Sequence, residues 1–184
     1  MARSLVSKRM IKQVVLLLVA LVSAAFGWQQ HKTGSSTSYM ARVVGVSDGD
    51  TITVLDDQQQ SRKIRFAFID APEKKQAYGM RAKQALSDLV YLQSVKVDVQ
   101  DTDRYGRTVA QIWLTPEGGA ATDINLAQVK AGFAWHYIQY ARKGQTTDAF
   151  DAYQAAERYA RDNRLGLWQD ASPVEPWLFR RTAK

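Results

Sequence analysis

Residues 39–73 read YMARVVGVSDGDTITVLDDQQQSRKIRFAFIDAPE, three short runs rich in β-branched residues with turn chemistry between them. Tyr39–Val46, Thr51–Leu55 and Lys63–Ile69 alternate in part between apolar and polar positions, the period of a strand with one buried face. Asp48-Gly49 and Asp56-Asp57 separate them, residues whose side chains bond nearby backbone and tolerate tight turns. The three runs predict an antiparallel meander.

Outward from the meander, Gln76–Leu92 carries Ala77, Met80, Ala82, Leu86, Leu89 and Val90 at nearly helical spacing, with Lys and Arg between them. Val95–Val99 alternates Val, Lys, Val, Asp, Val, and Thr108–Leu114 is apolar and β-rich, so two more strands flank the charged turn 101–107. Thr122 can cap a helix running to Lys130, with Gly132 near its end. Thr147–Asn163 makes a third helix, with Phe150, Tyr153, Ala156, Tyr159 and Ala160 on or near one face. Five short strands and three helices predict an α+β domain, a small five-stranded barrel with helices packed on it.

The chain has 184 residues, long enough for one domain with a real core and a tail. It has no cysteine, which excludes disulfides, thiolate metal sites and a cysteine nucleophile. Only His31 and His136 offer imidazole, so a multi-histidine zinc site or a Ser-His-Asp triad has little to draw on. Any metal is then held by carboxylate oxygen and is hard, calcium or magnesium. The net charge is +7, but Arg3, Lys8, Arg9 and Lys12 lie ahead of residue 13. Without residues 1–25, 21 basic residues face 18 acidic ones, an excess that permits an anionic partner without demanding one.

Those four basic residues lead into the apolar run 14–22 and then Ser23-Ala24-Ala25, the order of a secretory signal. Residues 1–28 are expected to be a cleaved signal peptide or an uncleaved membrane anchor touching the bilayer through residues 14–28. Residues 29–38 read as a polar linker, and 39–184 as the functional domain. Either alternative puts the domain outside the cytoplasm, secreted, periplasmic or membrane-tethered; a buried N-terminal core helix is the third reading of the apolar run.

Three polar clusters fall at strand ends: Asp48-Gly49-Asp50-Thr51, Arg65 followed by Asp70-Ala71-Pro72-Glu73, and Asp103-Arg104-Tyr105-Gly106-Arg107. Each alone reads as a turn or a strand exit. Together they suit phosphodiester hydrolysis: Asp50 and Asp70 to hold a hard cation, Glu73 to orient or deprotonate a water, Arg65 and Arg107 to grip phosphate with planar forked donors. Trp135, Trp168, Trp177 and His136 read as packing residues. Arg158, Arg161 and Arg164 read as a solvated helix stripe, and Asp48 as a brace for Asp50.

The ordered set, continued by Tyr78-Gly79, Gly132-Phe133-Ala134-Trp135 and Leu165-Gly166-Leu167-Trp168, resembles the thermonuclease family typified by staphylococcal nuclease, over roughly residues 40–180. The resemblance implies a five-stranded OB-fold barrel with three helices. It also implies calcium-dependent endonucleolytic hydrolysis of single-stranded DNA and RNA at low sequence specificity, leaving 3′-phosphate ends. Carried over by position, Asp50, Asp70 and the Ala71 carbonyl are metal ligands, and Arg65, Glu73 and Arg107 the catalytic trio. Arg104 and Tyr105 match a contact to the neighbouring phosphate, and Tyr140 an aromatic beside the base. Ile138 stands where the type member has tyrosine, and the segment from Glu73 to Tyr78 is shorter. A single closed barrel needs no partner to complete its sheet, so a monomer is expected. Two other classes use the same barrel: a non-catalytic nucleic-acid-binding module and a surface-anchored adaptor for a protein.

Overall fold

The computed structural model describes residues 37–182; the expected signal or anchor and most of the linker lie outside them. Strands β1 (Ser38–Asp48), β2 (Thr51–Asp56) and β3 (Ser61–Phe66) form the antiparallel meander, with Asp48 paired to Thr51 and Thr51 to Arg65. The β2–β3 turn is held as its composition suggests: Asp56 Oδ1 accepts the Gln58 and Gln60 N–H groups, and Asp56 Oδ2 the Arg62 Nε–H. β5 (Ser94–Thr102) adds to the other edge of β1, and β6 (Thr108–Leu114) to β5. A parallel pairing of Ile64, Arg65 and Phe66 with Thr108, Val109 and Ala110 closes the five strands into a barrel. Bulges in β1 and β5 supply the local bending that closure requires.

The inward residues are those the alternation selects: Val43, Ile52, Val54, Ile64, Phe66, Val95, Val97, Ala110 and Ile112 are all buried. Helix α1 (Gly79–Val90) lays Ala82, Leu86 and Val90 against the barrel, four residues apart on one face. It starts three residues later than its spacing suggests because Tyr78 adopts a left-handed conformation. Helix α2 (Ile124–Lys130) is capped by Asp123, whose Oδ1 accepts the Leu126 N–H, rather than by Thr122; Thr122 and Asp123 first pair as the short strand β7 with Leu114 and Trp113.

Two short helices were not legible as helices, α3 (Ile138–Gly144) and α5 (Pro176–Thr182). They flank α4 (Thr147–Asp162), whose cap, Thr146, accepts the Ala149 N–H. The expected strand 63–69 is also broken. Phe68 takes a positive φ, the chain turns, and Ile69–Asp70 leaves the barrel as β4 to pair with β8 (Trp135–His136).

A second, smaller core forms where the C-terminal segment folds back. Trp135 meets Trp168 edge-on at 5.1 Å and Trp177 at 6.4 Å, so the tryptophans pack as expected. Gly132, at φ 75°, is needed here: its carbonyl accepts the Leu167 N–H at 2.8 Å, and a Cβ would overlap the Leu165 carbonyl. The arginine stripe is not continuous. Arg161 lies over the Trp168 ring at 4.0 Å and pairs with Glu157, while Arg164 falls beyond the helix at φ 53°.

His136 is buried against Phe150 and Tyr153, with Nε2 at 2.9 Å from Gln145 Oε1. Burial holds its pKa below the ordinary imidazole value. The folded state therefore binds this proton less readily than the unfolded chain, so its stability contribution is full above the unfolded pKa and is lost as pH falls through the lowered one. Asp123, whose carboxyl burial raises, acts with the opposite sign. Urea midpoints should fall from neutral pH to just below the ordinary histidine range, and His136→Gln, neutral throughout, should flatten that slope.

Candidate active site

The β1–β2 turn, the end of β3 and strand β4 meet at one end of the barrel. Asp50 ends the turn just ahead of β2, its N–H donating to Asp48 Oδ1 at 3.2 Å, the brace expected of Asp48. Asp50 Oδ1 accepts the Thr51 hydroxyl at 3.1 Å, and Oδ2 the Ala71 N–H at 2.6 Å. The break after Phe66 turns Asp70 inward toward the same point. Asp50 is 1% exposed and Asp70 fully buried.

Two unpaired buried carboxylates would cost several kcal/mol each, on the order of the desolvation of an ion. Arg65 bridges them: Nη1 donates to Asp50 Oδ1 and Nη2 to Asp70 Oδ1 at 2.6 Å. A second guanidinium, which sequence reasoning missed, completes the cluster. Arg180 on α5 donates from Nη2 to Asp70 Oδ2 at 2.7 Å, and from Nη1 to Asp70 Oδ1 at 3.1 Å and Glu73 Oε1 at 2.8 Å. These bonds, led by those to Asp70, raise the Arg180 pKa further. Only the run Pro176-Trp177-Leu178-Phe179 ahead of it hinted at a helix that could return Arg180 here.

Glu73 sits in the loop between β4 and α1, 38% exposed. Its N–H donates to Gln76 Oε1 at 3.1 Å and its carbonyl accepts the Gln76 N–H at 2.8 Å. Gln76 Nε2 in turn donates to the Val174 carbonyl, tying this loop to the C-terminal segment. Gly79 permits the loop to lie this close, since a Cβ there would overlap the Glu73 carbonyl.

Arg107, Arg104 and Tyr105 form a separate group on the β5–β6 turn. Asp103 Oδ2 accepts Arg107 Nε–H at 2.6 Å, and Oδ1 accepts the Tyr105 and Arg107 N–H groups. Burial alone would raise the Asp103 carboxyl, but these bonds hold it below its ordinary value. Arg104 and Arg107 both lie over the exposed Tyr105 ring, at 4.8 and 5.7 Å. None of the three bonds to Asp50, Asp70 or Glu73. Barrel closure nevertheless puts Arg107 just ahead of Thr108, the partner of Ile64, two register positions from Arg65, which pairs with Val109. Tyr140 is exposed on α3, 4.9 Å from the Tyr137 ring, and Tyr137 stacks on Trp177 at 5.0 Å with 2° between planes. Tyr137 follows β8, whose Trp135 pairs with Asp70, and its N–H donates to the Phe68 carbonyl at 2.8 Å; burial, and then the charge of Asp70, raise its pKa.

Residues 63–170 match the family described as Staphylococcal nuclease homologue. The chain belongs to that family. Among its relatives, Micrococcal nuclease of Shigella flexneri is 40% identical over 188 aligned positions, covering 100% of this chain and 98% of the relative. An uncharacterized endonuclease of Haemophilus influenzae is 37% identical, covering 98% and 89%. Protein ParB of Escherichia coli is 41% identical, covering 89% and 87%. The five-stranded barrel expected of an OB-fold member of this family is the one described above, with two helices beyond the expected three. Asp50 precedes the matched span and is joined to it by the Arg65 and Ala71 bonds.

Gly79→Ala would ordinarily favour a helix, by about 1 kcal/mol. The overlap with the Glu73 carbonyl should reverse the sign: denaturant unfolding should show a loss of about 1–3 kcal/mol.

Proposed function

We propose that this chain is a calcium-dependent endonuclease that hydrolyses phosphodiester bonds of single-stranded DNA and RNA, with low sequence specificity, leaving 3′-phosphate ends. Family membership and relatives with nuclease names support the coarser part, a hydrolase acting on nucleic acids. The observation that carries the finer reading is the convergence of Asp50, Asp70, Glu73 and Arg65 at one end of the barrel, with Arg107 on the turn that leads into the strand paired with Arg65.

The residues fit a hard cation in chemistry. Their donors are oxygen only, two are buried carboxylates, and the cluster already draws two guanidinium groups onto those oxygens. Among the described residues no group of three or more His, Cys, Asp or Glu side chains is arranged to hold a metal. Asp50 and Asp70 would therefore need the Ala71 carbonyl, water or substrate to complete the set. The cation, when bound, supplies positive charge for the phosphate oxygens and a more acidic water.

The remaining work falls to side chains. Glu73, partly exposed beside Asp70, holds the attacking water and can accept its proton. Arg65, held on the carboxylates by one N–H of each Nη, offers its remaining donors to a phosphate oxygen, and Arg107 grips the same group from the β5–β6 turn; both oppose the charge that grows as phosphorus becomes five-coordinate. The leaving 5′ oxygen departs with a proton from water. Arg104 and Tyr105 contact the next phosphate, and Tyr140 offers a face to a base. Residues 1–28 serve as signal or anchor and 29–38 as linker for the domain 39–184, which acts outside the cytoplasm as a monomer.

End-labelled single-stranded DNA incubated with the full chain should yield 3′-phosphate fragments with calcium and none with chelator. Arg107→Ala should be nearly silent. Glu73→Gln should lower turnover by about 100-fold or more while affinity for the strand stays nearly unchanged; equal turnover removes Glu73 from its role. Export is read separately. A mature N-terminus near Phe26 by mass spectrometry marks a cleaved signal, and a retained Met1 or Ala2 an anchor.

A further inference from the structure

We propose that the Arg180 side chain on α5 is a built-in gate on the carboxylate site, its guanidinium holding the place that a divalent cation must take. The inference rests on the metal reading of Asp50 and Asp70 and goes beyond it, to how entry of the cation is controlled.

The argument begins with the oxygens. Asp70 Oδ1 accepts from both Arg65 and Arg180, and Oδ2 from Arg180; Asp50 Oδ1 accepts from Arg65 and Thr51, and Oδ2 from the Ala71 N–H. A divalent ion cannot bind an oxygen lone pair that a guanidinium already fills. Arg65 belongs to the barrel and is only about one-fifth exposed, enclosed by the two acids it bridges. Arg180 is different: it is 41% exposed, comes from the other end of the sequence, and has open solvent beside it. It is the guanidinium that can leave.

Charge gives the same answer. Three carboxylates face two guanidinium groups, leaving one negative charge over. Replacing Arg180 with a divalent cation brings the cluster to neutrality. Adding the cation beside Arg180 would put two cationic groups on the same Asp70 oxygens.

The helix that carries Arg180 is fixed at its base. Gln76 binds the Val174 carbonyl, Pro176 is buried at the first turn, and Trp177 lies flat on Tyr137. The side chain, not the helix, swings: with four rotatable bonds and an exposed head, Arg180 can move to water while Trp177 stays stacked. Glu73, which shares Nη1 of Arg180, is released in the same step. Cation binding and the freeing of Glu73 are thus one event. Because only the fraction of molecules with Arg180 withdrawn can take the ion, apparent affinity is lowered by that fraction.

The test is calcium binding by calorimetry to the full chain after chelator treatment, for wild type, Arg180→Ala, Arg180→Lys, Arg181→Ala and Asp70→Asn. Arg181, exposed on the same helix with the same charge and bonded to none of Asp50, Asp70 and Glu73, controls for general repulsion. The gate requires Arg180→Ala to bind calcium about three- to tenfold more tightly, with Arg180→Lys between it and wild type, and Arg181→Ala within about 1.5-fold of wild type. An Arg180→Ala affinity equal to or weaker than wild type overturns the gate, as does an equal gain in Arg181→Ala. Asp70→Asn separates the two layers. If wild type binds, Asp70→Asn does not, and Arg180→Ala gains nothing, the gate alone falls; if none of the proteins binds calcium, manganese or magnesium, the metal reading falls and the gate with it. Should Arg180→Ala fold poorly, Arg180→Lys keeps the charge, loses the two-pronged grip, and must still gain affinity.

Discussion

Asp50 and Asp70 are buried side by side at one end of the barrel, and the Arg65 guanidinium between them makes that burial tolerable. Much of the surrounding architecture holds the three in register. The antiparallel pairing of Thr51 with Arg65 sets Asp50 one residue from Arg65 across two strands. The positive φ at Phe68 redirects the chain so that Asp70 enters from the side, and pairing with Trp135 fixes it there. Removing either acid or the arginine would leave a buried charge without its partner, which costs far more than an exposed ion pair contributes.

Helix α2 is the frame for this arrangement, through two buried amides. Asn125 Oδ1 accepts the Ile112 N–H, and Nδ2 donates to the carbonyls of Ala67 and Ala110, so one side chain satisfies backbone on β6 and at the break after β3. Gln128 Nε2 donates to the carbonyls of Gly49 and Ala82, joining the turn that carries Asp50 to helix α1. Through these bonds the two amides lock the β1–β2 turn, the strand break and helix α1 to one helix.

The barrel strands were legible because period-two alternation is a local signal, and the site because its residues cluster at strand ends beside turn formers. The break at Ala67-Phe68 was not, since Lys63–Ile69, alternating and then apolar, reads as one strand and nothing in phenylalanine announces a left-handed backbone. Helices α3 and α5 span seven residues each, too short for periodicity to stand out. Arg180 was invisible for a different reason. Its meaning lies in a return across more than a hundred residues to Asp70, a contact that no neighbouring residue encodes.

The parallel rungs between β3 and β6 carry a consequence for folding order. Parallel strands cannot be joined by a hairpin, and here the whole of α1 and β5 must be threaded into place before residues 64–66 can meet 108–110. Such distant pairings form late, after the cost of closing the intervening loop has been met by nearer contacts. Until then Arg65 and Arg107 travel on separate threads. An incompletely folded chain therefore carries the residues of the candidate site without the site itself, which exists only once this seam has closed and the later strand β8 has met β4.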